Sequence, residues 1–303
     1  MQINKEITTQ LNRNTTKLSK TIRLGRKTKK TILNTITYIL LITFSIYSLF
    51  PIVWAFLTAI KPKDEVMSST PKLFTSSPTL ENFRSVIFET QFPTYFLNSV
   101  IVSFGSVLLS IAIGVLAAYT LSRLNKAPGV KMLGLGMLFA QMVPVVLLMI
   151  PLYRIMMNMS LLDSYLGLII SYTVFAVPII TWMLKGFFDT IPIEIEESAM
   201  LDGCNKFILI VRIMIPLSVP AIVSAGIYAL VHAWSEFVLT FTFVSDDTMR
   251  TLSTGVFNFM GLWIVDWGRL MAAAVLIVVP IAIVFTFIQK YLVSGLTAGS
   301  TKG

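Results

Sequence analysis

The chain has 303 residues, 55% of them hydrophobic and 13% charged, with a mean hydropathy of +0.79. A soluble domain carries roughly a quarter charged residues, so a water-soluble globular protein is excluded and the chain reads as integral to a membrane. The net charge of +9 is not a nucleic-acid signature, because nine of the 24 basic residues lie at or before Lys30, against the single acid Glu6; such a cluster beside a membrane span sets topology and meets anionic lipid.

In chain order, residues 1–30 form a basic tail without apolar periodicity, expected to be disordered and cytoplasmic. The apolar run at 32–60 is too long for the core of a signal peptide and meets the ~20 residues that cross a bilayer, so it is the first, uncleaved span. A mixed-charge stretch follows, in which Thr79 is placed to cap a short surface helix. The second span is expected at 97–122, and the loop after it holds Arg123, Lys126 and Lys131 with no acid. The third, at 132–153, contains Gln141, Pro144 and Pro151, and the fourth covers 166–185. After a polar loop at 186–218, the fifth span runs over 219–244. The loop 245–269 carries Phe257, Phe259, Trp263 and Trp267, an interfacial aromatic set, and the sixth span covers 270–291. The expectation is an all-α membrane protein with a transmembrane domain over 31–303. Six spans and a basic tail inside place both termini, and the 186–218 loop, in the cytoplasm.

The chain has one histidine, one cysteine (Cys204) and neither a G-x-x-x-x-G-K-[ST] nor a G-x-G-x-x-G run. No disulfide, multi-cysteine or two-histidine metal site, or phosphate-binding loop can be built from these. Uphill solute movement by such a chain therefore draws on an ion gradient or on a partner.

The loop 186–218 is the long polar interruption of the second half. Asp189, Glu194, Glu196, Glu197 and Asp202 account for five of the 15 acids. Pro192 is suited to begin a helix and the glutamates to its first turns; Gly203 is suited to end it in a left-handed conformation. Phe207, Ile208, Val211, Met214 and Ile215 then follow at helical spacing, and Pro216 closes the second helix. Two roles suit this helix–elbow–helix: an amphipathic element lying on lipid, or an acidic, small-residue surface offered to a basic protein.

Glu197-Ser198-Ala199, Asp202-Gly203, Ile213, Pro216-Leu217 and Pro220 resemble the E-A-A…D-G…I-x-L-P loop of permease subunits of bacterial ABC importers. PKLFTSSPTLENFRSV, LNSVIVS, AAYTLSRL, MVPVVLLMIPLYRI, LLDSYLGLII, AWSEFVL and GLTAGSTKG are similar to the carbohydrate-uptake branch of that family, over about residues 40–303. The resemblance implies a type I importer permease fold with the 186–218 loop as coupling helix. Glu196, Glu197, Ser198, Ala199, Asp202, Gly203 and Pro216 would then form the ATPase-docking segment, with Glu197 as the charged contact. It further implies two ATPase subunits carrying ATP and Mg, no cofactor on this chain, a second and non-identical permease, and an extracytoplasmic solute-binding protein in a bacterial plasma membrane. Ser198, Cys204 and Ile215 depart from the family pattern but keep its size class, and Cys204 reads as a packed small residue.

Ionisable and polar groups inside spans are costly and usually face a cavity or a partner. His232 and Glu236, four apart, could pair on one helix face, with Tyr228 one turn earlier. They are substrate-pathway candidates or a structural pair. Gln141 is a further candidate, or it bonds a carbonyl freed by Pro144. An ion-coupled carrier, with His232–Glu236 as proton relay, is the alternative function; an intramembrane enzyme would have only that same pair to work with.

Overall fold

A computed structural model describes residues 26–68, 70, 72–261 and 265–298. Most of the basic tail, Trp263 and the last five residues lie outside that set. The described residues are helical apart from loops and a lone antiparallel bridge between Met260 and Val265. They belong to two compact units, one ending at Trp54 and the other starting at Ala55. Helix α1 (Arg26–Ala59) runs through the first unit as one helix despite Pro51.

In the second unit, α2 (Glu81–Phe88) begins where the Thr79 hydroxyl accepts the N–H of Glu81 at 3.1 Å. Helix α3 (Phe92–Arg123) starts five residues before the expected span, with Pro93 in its first turn, where a missing N–H costs nothing. At ~1.5 Å per residue it reaches ~48 Å, well beyond the ~30 Å of hydrocarbon. The third span is not straight. Helices α4 (Val130–Gln141) and α5 (Val145–Asn158) meet at 104°, because Pro144 lacks an N–H and biases Val143 away from helical backbone.

Helix α6 (Tyr165–Phe188) is capped by Ser164, whose Oγ accepts from Gly167 N at 3.1 Å. Then come α7 (Ile193–Leu201), α8 (Lys206–Leu217), α9 (Val219–Trp234), α10 (Val238–Phe243) and α11 (Trp267–Ala298). The expected fifth span is thus split: it bends by 83° against α8 at its start and breaks between Trp234 and Val238. Among the described residues, four helices are long and apolar enough to cross a membrane, or six if each bent pair is one span.

The α3–α6 pair is the centre of the unit. Ser99, Ser103, Ser106, Ser110 and Gly114 follow one another on α3 at helical steps of three and four, and all are buried. A Cβ on Gly114 would lie 2.6 Å from Ile180 Cγ2 on α6. Lipid tails offer helices no hydrophobic reason to associate, so close approach through small residues supplies the van der Waals contact instead. One core cluster extends from Val115 and Ala118 on α3 and Ile180 and Leu184 on α6 to Leu209 and Met214 on α8 and Ala225 and Ala229 on α9. The 186–218 loop is therefore folded onto the helices rather than hanging from them.

Candidate functional site

Helix α7 follows Pro192 and carries Glu194 and Glu196 in its first turn. It ends as its sequence dictates. Gly203 has φ +87°, its N–H donates to Met200 O at 3.1 Å, and Cys204 N donates to Ala199 O at 3.0 Å. This is a Schellman closure, which needs a residue that tolerates left-handed backbone at that point. Cys204 and Ala199 both pack into the core cluster, the small apolar use expected of the cysteine. Asn205 then caps α8, its Oδ1 accepting from Ile208 N at 2.8 Å.

Inside α8, Ile210–Met214 is π-helical, and the helix runs through Pro216 to Leu217. Proline cannot donate to the carbonyl four residues back, and the wider π turn accommodates that loss. The expected apolar stripe is only partly kept. Leu209, Ile210 and Met214 are buried, whereas Phe207 (71% exposed) and Val211 face out.

The same orientation divides the expected docking residues. Glu197, Ser198, Asp202, Gly203 and Pro216 are exposed. Glu196 and Ala199 are buried, so neither lies on the outer face with Glu197. Glu196 instead bonds inward: Oε1 accepts from Arg123 Nε at 2.5 Å and Oε2 from the Tyr119 hydroxyl at 3.0 Å. Arg123 also donates from Nη2 to Ile191 O (3.0 Å) and from Nη1 to Ser122 Oγ (3.1 Å). The Ser122 hydroxyl donates to Asp189 Oδ1 at 2.6 Å, and Lys185 Nζ donates to Asp189 Oδ2 at 2.6 Å. Partial burial raises the Asp189 pKa, but the bonds from Lys185 and Ser122 outweigh it and leave it below the ordinary value. Arg123 and Tyr119 escaped the sequence reading as site residues. A basic loop closing an apolar span, with a surplus of acids in a later loop, was the available signal.

The substrate-pathway candidates are only partly brought together. Tyr228 and His232 share a face of α9, their rings 6.1 Å apart between centroids. Glu236 does not pair with His232, because α9 ends at Trp234 and the expected continuous helix is lost. The Glu236 carboxylate instead accepts from Leu239 N at 3.0 Å and Thr240 N at 3.3 Å, capping α10. Its backbone carbonyl accepts from the Ser253 hydroxyl. Gln141 Nε2 donates to Phe175 O on α6 at 2.7 Å. The carbonyl that Pro144 would free, that of Ala140, is taken by Val143 N at 3.4 Å. Among the described residues nothing bonds Gln141 to the Tyr228–His232 pair.

At the other end of α3, buried Asn98 holds a distant loop. Its Nδ2 donates to Thr248 O (2.8 Å) and Arg250 O (2.7 Å), and its Oδ1 accepts from the Tyr165 hydroxyl (2.7 Å). Ser99 Oγ accepts from Leu252 N at 2.8 Å, and Asp163 Oδ1 accepts from Ser245 N and Asp246 N at 2.7 and 2.9 Å.

A long α3–α6 pair, two bent helix pairs and a folded loop between the fourth and fifth spans define an ABC importer permease fold. A bacterial ABC transporter involved in the import of the acidic polysaccharide alginate has the same fold, with a TM-score of 0.75 and 21% identity over 88% of this chain and 98% of that one. Residues 110–298, more than half the chain, match the family described as the binding-protein-dependent transport system inner membrane component, and the chain belongs to that family. It is 38% identical to the sulfoquinovosyl glycerol transport system permease protein SmoH of Agrobacterium fabrum, over 84% of this chain and 89% of the relative. It is 34% identical to the diacetylchitobiose uptake system permease protein DasC of Streptomyces coelicolor, over 84% and 92%. The resemblance read from the 186–218 loop and the flanking motifs is borne out.

Proposed function

We propose that this chain is one of two permease subunits of an ATP-driven importer for a sugar or oligosaccharide, and that α7 with the Gly203 elbow docks on a partner ATPase. The observation that carries the docking role is the pair Leu201 and Phe207, 89% and 71% exposed on either side of Gly203. Large apolar side chains displayed beside exposed carboxylates, in a loop otherwise folded onto its core, suit a contact with a protein surface. An acidic helix also gains nothing from anionic lipid. Glu197 supplies the charged contact, Ser198 the close approach, and Asp202 with Gly203 the turn, while Pro216 lies exposed in the last turn of α8. Glu196 and Ala199 anchor α7 from behind.

Family membership supports the rest of the assembly: two ATPase subunits that hold ATP and Mg, a second and non-identical permease, and an extracytoplasmic binding protein that delivers the solute. The chain itself then performs no bond chemistry and holds no cofactor. The reading places it as a multi-pass protein in a bacterial plasma membrane with both termini cytoplasmic. The carbohydrate class is supported by the named cargo of SmoH and DasC. Tyr228 and His232 offer an aromatic face and a hydrogen-bonding edge to a sugar, and Glu236 fixes the start of α10 beside them. An ion-coupled carrier is not favoured, since its proton relay would need the His232–Glu236 bond that the broken helix removes.

Glu197→Lys tests the docking role. Co-purification of the ATPase from membranes is expected to be lost while the permease still inserts, and a normal complex would count against docking.

A further inference from the structure

We infer that Arg123 is the strut that makes the docking helix α7 move as one body with α3 and α6, a positioning residue for the transport cycle; this rests on the docking role of α7. The guanidinium reaches three targets at once: Glu196 on α7 at 2.5 Å, the Ile191 carbonyl between α6 and α7 at 3.0 Å, and Ser122 on its own helix at 3.1 Å. Tyr119 fixes the second oxygen of Glu196 at 3.0 Å. The Ser122–Asp189–Lys185 chain ties the end of α6 to the same two turns of α3. The side chains of Arg123 and Glu196 are 13% and 3% exposed, so little solvent screens the pair. A planar fork with fixed donors holds direction as well as distance, which apolar contact alone does not.

The other side of α7 is built in the opposite way. The chain leaves it through Gly203, in left-handed backbone with open space where a Cβ would be. It then passes a π-helical turn and an 83° bend before α9. Among the described residues no ion pair links α8 to α9. Helix α7 is thus braced toward α3 and α6 by directional polar bonds, whereas, among the described residues, α8 and α9 join the same core through apolar packing alone. Coupling between distant sites is carried by rigid packed elements, so a push on α7 enters the α3–α6 pair and α9 re-angles against it.

The test measures distances in the complete importer, in a Cys204→Ser background, by pulsed EPR. Nitroxide labels go on exposed positions, Glu194 with Leu124 (α7 to the C-cap of α3) and Glu194 with Val231 (α7 to α9). Each pair is read without nucleotide and after trapping with ATP and vanadate. The α7–α3 distance is expected not to shift on trapping while the α7–α9 distance does. With Glu196→Gln, the α7–α3 distribution is expected to broaden and to shift on trapping. A wild-type α7–α3 distance that shifts as much as α7–α9, or an unchanged distribution in Glu196→Gln, overturns the strut. Should Glu196→Gln fail to assemble, Arg123→Lys and Tyr119→Phe replace it, since each removes a bond and no charge; unchanged distributions in both overturn it equally. Failure of the docking role looks different: the ATPase would not co-purify more weakly with Glu197→Lys, whatever the label distances show.

Discussion

The two ends of α3 do the same job with different chemistry. At one end Asn98 gathers a loop more than 140 residues away through neutral hydrogen bonds to Thr248 O and Arg250 O, and takes the Tyr165 hydroxyl of α6 on its own oxygen. At the other, Arg123 gathers the α6–α7 junction through a buried ion pair. An amide offers donors and an acceptor together, so it can satisfy several backbone groups and freeze a loop. A guanidinium offers only donors, so it needs an anion, and the pair acts as one directional joint. The Asn98 end is built to stay closed; the Arg123 end is built to pass load to a helix that is fixed on one side only.

The two ends of α3 differ in what they cost to break. The largest cost is expected for Arg123→Ala, which leaves the Glu196 carboxylate buried without its cation; breaking a buried pair in this way costs about 3–5 kcal/mol. The apparent melting temperature of the purified protein in detergent should fall steeply, and a shift no larger than that of a surface substitution would show that Glu196 escapes to solvent. Asn98→Ala comes next. It removes the donor to the carbonyls of Thr248 and Arg250, two partly buried hydrogen bonds at about 1 kcal/mol each. The loss should appear as local opening, with fast amide exchange confined to 245–255; exchange spreading to α7 would erase the distinction between the two ends.

The smallest effect is expected at Asp189, at the edge of the ionic end. Its side chain is 41% exposed, so the Lys185 pair contributes at most about 1 kcal/mol. Its pKa is lowered in the folded protein. The contribution is therefore complete above the unfolded carboxylate value of about 3.9 and lost as pH falls through the folded one. The difference in melting temperature between wild type and Asp189→Asn should be constant from neutral pH down to about 5 and shrink toward zero below about 4. A difference that grows on acidification would reverse the sign of the assignment.

Local features of this chain were legible because they depend only on neighbouring residues. Apolar runs long enough to span hydrocarbon became α1, α3, α6 and α11. Gly203 took the left-handed position that its chemistry suits, and the 186–218 pattern led to the right family; Thr79 lies one residue ahead of the actual N-cap, Leu80, and only bonds the N–H of Glu81. The kinks were harder. Pro144 was visible as a helix breaker, yet a 104° turn depends on what α4 and α5 each pack against. In α8 the buried side is Leu209, Ile210 and Met214, whereas simple helical spacing had placed the stripe on Phe207 and Val211 as well.

By itself, the sequence determined that this is a helical membrane protein with an acidic, Gly-hinged loop between its fourth and fifth spans. Only the tertiary structure decided which of two adjacent glutamates faces outward. Glu196 and Glu197 are alike in charge and sit about 100° apart around α7. Nothing local distinguishes them. The choice was made by Arg123, 73 residues earlier, and by the cost of burying a carboxylate anywhere except against such a partner. In the same way, Glu236 ceased to be a partner of His232 because α9 ends at Trp234, leaving its carboxylate to satisfy the unpaired N–H groups at the start of α10.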